Sequence, residues 1–259
     1  MIKKNYYTIS RVISLLLFFP NLLLAEDFLL YDATVGQLPS EQPWLTYFTD
    51  GTAEQQVMTD GVWLQTSFTN RAGYSNYNVV TQALKNALYP SLDKGRGVVL
   101  QFGLQLSSEN HDTADRAGFS VILLDSNHQG VELGFWANEI WAQTDNPLFT
   151  HGESVDFVTT GGMKSYLLCL TTDNYVLYEG NKQILTGPIR DYSSFSGYPD
   201  PYEIPSFLFL GDNTTSAGAE IVLGSVLLQS DTQLNLAFPW SLFLPSFTAG
   251  IQQGNGSTR

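Results

Sequence analysis

The sequence predicts an all-β protein built as an antiparallel β-sandwich with a short helix, and three observations carry that prediction. Apolar and polar residues alternate with period two along many short runs. Those runs are divided at regular intervals by Gly, Asn, Asp and Pro, the residues of turns. Hydrophobic residues make up 43% of 259, enough to fill a core, and no internal repeat interrupts the pattern.

The elements follow in order. Phe28 to Tyr31 and Val62 to Thr66 read as strands in a less regular N-terminal part. Asn78 to Leu88 carries apolar residues at Val79, Val80, Ala83, Leu84, Ala87 and Leu88, a spacing that suits a short helix ended by Pro90. Val99 to Leu106 then places Leu100, Phe102, Leu104 and Leu106 on one strand face. Phe119 to Leu124 is mostly apolar, as an interior strand would be. Val131 to Phe135 and Ile140 to Thr144 flank Asn138-Glu139 as two arms of a hairpin. A meander follows at Ser165 to Thr171, Asn174 to Tyr178 and Gln183 to Leu185, with turns at Thr172-Asp173 and Glu179-Gly180-Asn181. Phe207 to Leu210 and Ala219 to Leu228 supply the last strands.

The two ends read differently. Lys3, Lys4 and Arg11 precede an apolar stretch from Val12 to Leu24 and then Ala25, the pattern of a cleavable signal peptide over residues 1–25. A membrane-spanning helix needs about 20 apolar residues, and this stretch is shorter and broken by Pro20-Asn21. The sandwich domain is expected over 26–230, and 231–259 is a tail whose apolar part is interrupted by Pro239 and Pro245. That tail reads as a packed segment or a degenerate anchor, and no transmembrane helix is expected in the mature chain. The protein is therefore expected to be secreted, periplasmic or on the cell surface.

Charge excludes whole classes of partner. Removing residues 1–25 takes away three basic residues and no acid, which leaves 25 acidic against 9 basic residues and a net charge of −16. Nucleic acid and anionic lipid are unsuited to such a surface. One cysteine, Cys169, excludes a disulfide framework and a Cys-rich zinc site. It sits in an apolar run and reads as a buried structural thiol.

Several segments resemble known families. Tyr166-Leu-Leu-Cys-Leu, Tyr175-Val-Leu-Tyr-Glu-Gly and Gln183-Ile-Leu-Thr-Gly187 are similar to a stretch of laminin-G-like and concanavalin A-like jelly rolls. Leu30-Tyr-Asp32, Gly36-Gln-Leu-Pro39 and Gln42-Pro-Trp44 resemble the bacterial surface proteins grouped as choice-of-anchor domains, Y type. So do Asp115-Arg-Ala-Gly-Phe-Ser-Val121, Val131-Glu-Leu-Gly-Phe-Trp136, Ile140-Trp-Ala-Gln143 and Phe207-Leu-Phe-Leu-Gly-Asp212. The resemblance covers about residues 26–230. It implies an exported jelly roll with concanavalin A-like architecture and no established catalytic activity.

The chemistry-bearing residues are few. Glu132, Gly134 and Trp136 share one face by period two, while Val131, Leu133 and Phe135 face the core. Trp141 and Gln143 share a face of the paired arm, and the hairpin register decides whether the two faces coincide. Such a face, with a shallow gap at Gly134 for a flat ring, suits a sugar, whose CH faces stack on aromatics. Glu132, Trp136, Gln143 and Arg116 are therefore the expected ligand-binding residues. A glycoside hydrolase or lyase on the same fold would need two converging acids, and Glu132 has no second acid two residues away. Glu109 to Arg116 is the densest polar stretch and is read as a connection between strands. There His111, Asp112 and Asp115 would suit calcium, or an Asp115–Arg116 hydrogen-bond network would pin the loop. No Gly-x-Ser-x-Gly elbow, His-Glu-x-x-His pair or phosphate loop occurs. The function expected is a non-catalytic binding or adhesion module for an extracellular glycan or cell-envelope component. A structural envelope protein without ligand is the remaining alternative.

Overall fold

A computed structural model describes residues 26–232. The expected leader and the tail from 233 onward lie outside the described residues. The strands are β1 (Glu26–Tyr31), β2 (Thr46–Asp50), β3 (Glu54–Met58), β4 (Gly61–Gln65), β5 (Arg71–Ser75) and β6 (Tyr77–Asn78). They continue with β7 (Ala83–Leu84), β8 (Val98–His111), β9 (Ser120–Leu124), β10 (Gln129–Phe135), β11 (Glu139–Asp145) and β12 (Leu148–Asp156). The last are β13 (Lys164–Leu170), β14 (Asn174–Glu179), β15 (Lys182–Pro188), β16 (Arg190–Asp191), β17 (Leu208–Asp212) and β18 (Ala217–Ser230).

Two eight-stranded sheets form the sandwich. The first runs β15-β14-β13-β8-β18-β4-β3, with β1 pairing β18 beyond the point where β4 leaves it. The second runs β12-β11-β10-β9-β17-β5-β2, with β16 pairing β10 at Gln129 and Gly130. All pairings between these strands are antiparallel. The β8 face expected from the sequence is the core face: Leu100, Phe102, Leu104 and Leu106 are all buried. Phe102 meets Phe135 of the opposite sheet edge-on, with ring centroids 6.1 Å apart. Val131, Leu133 and Phe135 line the same core.

The fully apolar run in β9 has a specific cause. Val121 and Leu123 face the sandwich core, while Ile122 and Leu124 join a second apolar cluster on the outer face of the second sheet. That cluster is roofed by the segment after β16, through Tyr192, Tyr202, Ile204 and Phe207. A strand covered on both faces needs no polar alternation.

The helix expected over Asn78–Leu88 is not formed. Those residues make the β6–β7 hairpin and turns. Asn78 Oδ1 accepts from the amides of Val80 (3.1 Å) and Thr81 (3.0 Å), and Gln82 has φ 52°. That side-chain bonding closes a turn in competition with a helix. The supposed helical face is also split, since Val79 is buried and Leu88 is 77% exposed. Among the described residues, helical turns occur instead in four short 3-10 segments, at Ala33–Val35, Pro39–Glu41, Lys94–Arg96 and Pro201–Glu203. Among the described residues no helix is long and apolar enough to cross a membrane. Cys169 is buried in β13, where burial pushes its thiol up to about 12.

Candidate functional site

The hairpin register brings the two polar faces together. Leu133 pairs with Ala142 and Gly134 with Trp141, so Glu132 and Gly134 lie on the same face as Trp141 and Gln143. The ladder then opens. The Tyr192 hydroxyl accepts from the Glu132 amide at 3.0 Å and donates to the Gln143 carbonyl at 2.9 Å. It wedges between β10 and β11 where β10 turns to pair with β16.

Glu132 is not the solvated residue that a polar strand face suggests. It is 1% exposed, because the segment from Tyr192 to Phe207 covers this face. Its Oε2 accepts from the Tyr202 hydroxyl at 2.5 Å and its Oε1 from Asn213 Nδ2 at 2.8 Å. Burial pushes the carboxyl above its ordinary range, against the pull of those two bonds and of the Arg116 charge. Tyr202 and Tyr192 are held well above the usual phenol range by burial and by the Glu132 charge.

Glu132, Gln143 and Arg116 line one cavity of about 190 Å³, together with Tyr202 and Asn213. Its walls are aromatic, with Phe48, Phe149, Phe195, Phe207 and Phe209. Arg116 Nη1 donates to the carbonyls of Asp115 (2.6 Å) and Phe149 (2.9 Å), and the guanidinium lies over the Phe149 ring. Gln143 Nε2 donates to the same Asp115 carbonyl at 3.0 Å. Gln143 Oε1 has no hydrogen-bond partner although the residue is 3% exposed. A buried acceptor left open in this way costs free energy unless something fills it.

Two expectations need correction. Trp136 does not line the cavity, because β10 ends at Phe135 and the period-two face ends with it. Its ring stacks on His111 with centroids 4.0 Å apart and packs against Trp141 and His151, while Nε1 donates to the Arg116 carbonyl. The gap at Gly134 is filled by the protein's own Trp141. A Cβ at Gly134 would meet Trp141 Cε2 at 2.7 Å.

His111, Asp112 and Asp115 are not gathered as a cation requires. Among the described residues no group of three or more His, Cys, Asp or Glu side chains is so placed. β8 runs through Glu109, Asn110 and His111, which are strand residues rather than a connection. His111 Nδ1 is bonded to Glu109, and Asp115 Oδ1 accepts from the His151 amide at 2.8 Å. Asp115 thus pins the loop, and its carbonyl joins Arg116 to Gln143. Glu139 opens β11 instead of lying in the turn and bonds His151 Nε2 at 3.1 Å. Sequence reasoning missed Tyr202, Tyr192 and Phe149, which follow no periodic signal.

No protein-family model and no curated protein matches this chain. Solved structures align with it at low identity. A carbohydrate esterase from the Shiga toxin-encoding bacteriophage phi24B is 10% identical over 80% of this chain and 97% of that one, with a TM-score of 0.47. An alginate lyase from polysaccharide lyase family 7 is 9% identical over 70% and 83%, with a TM-score of 0.44. A cellulose-induced protein is 8% identical over 76% and 95%, also with a TM-score of 0.44.

Proposed function

We propose that this protein is a non-catalytic binding or adhesion module that takes a glycan residue into the cavity on the outer face of its second sheet. The observation that carries this reading is an aromatic-walled cavity lined by Glu132, Gln143 and Arg116, with the buried Gln143 Oε1 unpaired among the described residues. A cavity of about 150 Å³ accommodates benzene, so 190 Å³ suits one six-membered ring. Phenylalanine walls suit the CH faces of a sugar, and the polar groups suit its hydroxyls. Export to the periplasm or cell surface, and kinship with the choice-of-anchor proteins, rest on the N-terminal pattern and the segments quoted above.

The test is a glycan array probed with the purified protein, with and without added calcium. Retention of a defined set of glycans, lost in Gln143→Leu, is the expected result. No retention under either condition would overturn the reading. A raised carboxyl such as Glu132 is also what a general acid requires. Among the residues lining the cavity, however, Glu132 is the single carboxylate, and hydrolysis of a glycosidic bond canonically uses a pair. Cleavage of an array-positive glycan, abolished in Glu132→Gln, would establish the enzymatic alternative.

A further inference from the structure

We infer that the cavity selects an uncharged sugar ring bearing neighbouring hydroxyls and discriminates against acidic sugars, an inference that rests on the glycan reading above. The argument is an inventory of donors and acceptors. Among the described residues the hydrogen bonds of Arg116 leave from Nη1, and Nε and Nη2 have no partner there. Arg116 has no carboxylate within ion-pair distance, and its charge acts on Glu132 from further away. The cavity thus offers open donors on one side. On the other side lie Gln143, whose buried Oε1 has no partner among the described residues, and Glu132, whose two oxygens each accept one bond.

A hydroxyl carries one donor and two acceptor positions. A pair of neighbouring hydroxyls therefore serves both sides at once, accepting from Arg116 while donating to Gln143 or Glu132. A carboxylate or sulfate only accepts. It would satisfy Arg116 but leave Gln143 Oε1 buried and open, and it would bring a second negative charge beside buried Glu132. Burial favours the protonated form of that carboxyl, while Tyr202 and Asn213, which both donate to it, favour its acceptor form. An acidic ligand would have to bring a proton with it or bear the repulsion. Arg71, the other guanidinium lining the cavity, gives Nη2 to Asp50, and its buried Nε has no partner among the described residues. The long-range field of a chain with net charge −13 acts in the same direction.

The experiment is calorimetric titration of the purified protein at pH 7 with methyl glycosides of neutral hexopyranoses and with the uronic acids of the same ring stereochemistry. The expected result is that the best neutral glycoside binds about tenfold or more tightly than its uronate, since juxtaposed like charges are costly in a desolvated site. A uronate that binds equally or more tightly would overturn the inference and leave the glycan reading standing. Binding of neither kind would remove both. Glu132→Gln keeps the side-chain shape and removes the charge, so the uronate should gain on the neutral ligand. An unchanged ratio in a folded variant would also overturn the inference. Should that variant not fold, the wild-type ratio decides.

Discussion

Asp212 is the buried acid whose titration the structure makes most quantitative. It ends β17 with no exposed surface, and its Oδ1 accepts from the Thr214 amide at 2.9 Å. That bond holds the turn from which Asn213 reaches Glu132. Burial raises its carboxyl from 3.8 to about 8, opposed by the Thr66 side chain, the Thr214 amide and the Arg71 charge. The native state therefore keeps a proton that the unfolded chain has released through the window from about pH 4 to 8. Stability contributed by this group falls as pH rises, by about 1.4 kcal/mol per unit within that window. From pH 5 to pH 8 the loss is about 3–4 kcal/mol on the same relation. Asp212→Asn keeps an oxygen for Thr214 and cannot ionise. Urea unfolding of both proteins at pH 5, 6, 7 and 8 should show the variant gaining on the parent by that amount. Glu132, also raised by burial, titrates in both proteins and drops out of the difference. A stability difference that stays constant over this range would refute the reasoning.

Four further outcomes follow from the packing. Tyr192→Phe should cost about 1–3 kcal/mol for each polar group it orphans, here the Glu132 amide and the Gln143 carbonyl; unchanged denaturant midpoints would disprove the wedge. Gly134→Ala should cost about 1–3 kcal/mol by overpacking against Trp141, read as a lowered melting temperature. Trp136→Ala should cost about 3 kcal/mol of stability; intact melting with lost glycan binding would instead return that ring to the site. Cys169 should resist thiol reagents in the native protein and react once unfolded, and rapid native labelling would contradict its burial.

Period-two alternation was enough to locate the strands that line the core, because burial on one face writes itself into every second residue. β8, β10, β11, β13, β14 and β18 were legible on that basis, with ends shifted by a few residues. β3, with the sequence Glu-Gln-Gln-Val-Met, and the long β12 were not, since little of their surface is buried and no apolar pattern is needed to hold them. Asn78 to Leu88 misled for the opposite reason: its apolar residues serve different surfaces and share no face, so their spacing imitates a helix. Of the residues that line the cavity, Glu132, Gln143 and Arg116 stood out in the sequence because two sit on a polar strand face and one on a dense polar stretch. What the sequence alone could not supply was their surroundings. Tyr192 and Tyr202 reach Glu132 from 60 and 70 residues away, and Asn213 from 81. Only the tertiary fold lays that segment over the outer face, and it turns an expected wet carboxylate into a buried one. The same packing removed Trp136 from the site: strand periodicity holds only while the chain remains a strand, and β10 stops one residue short of it.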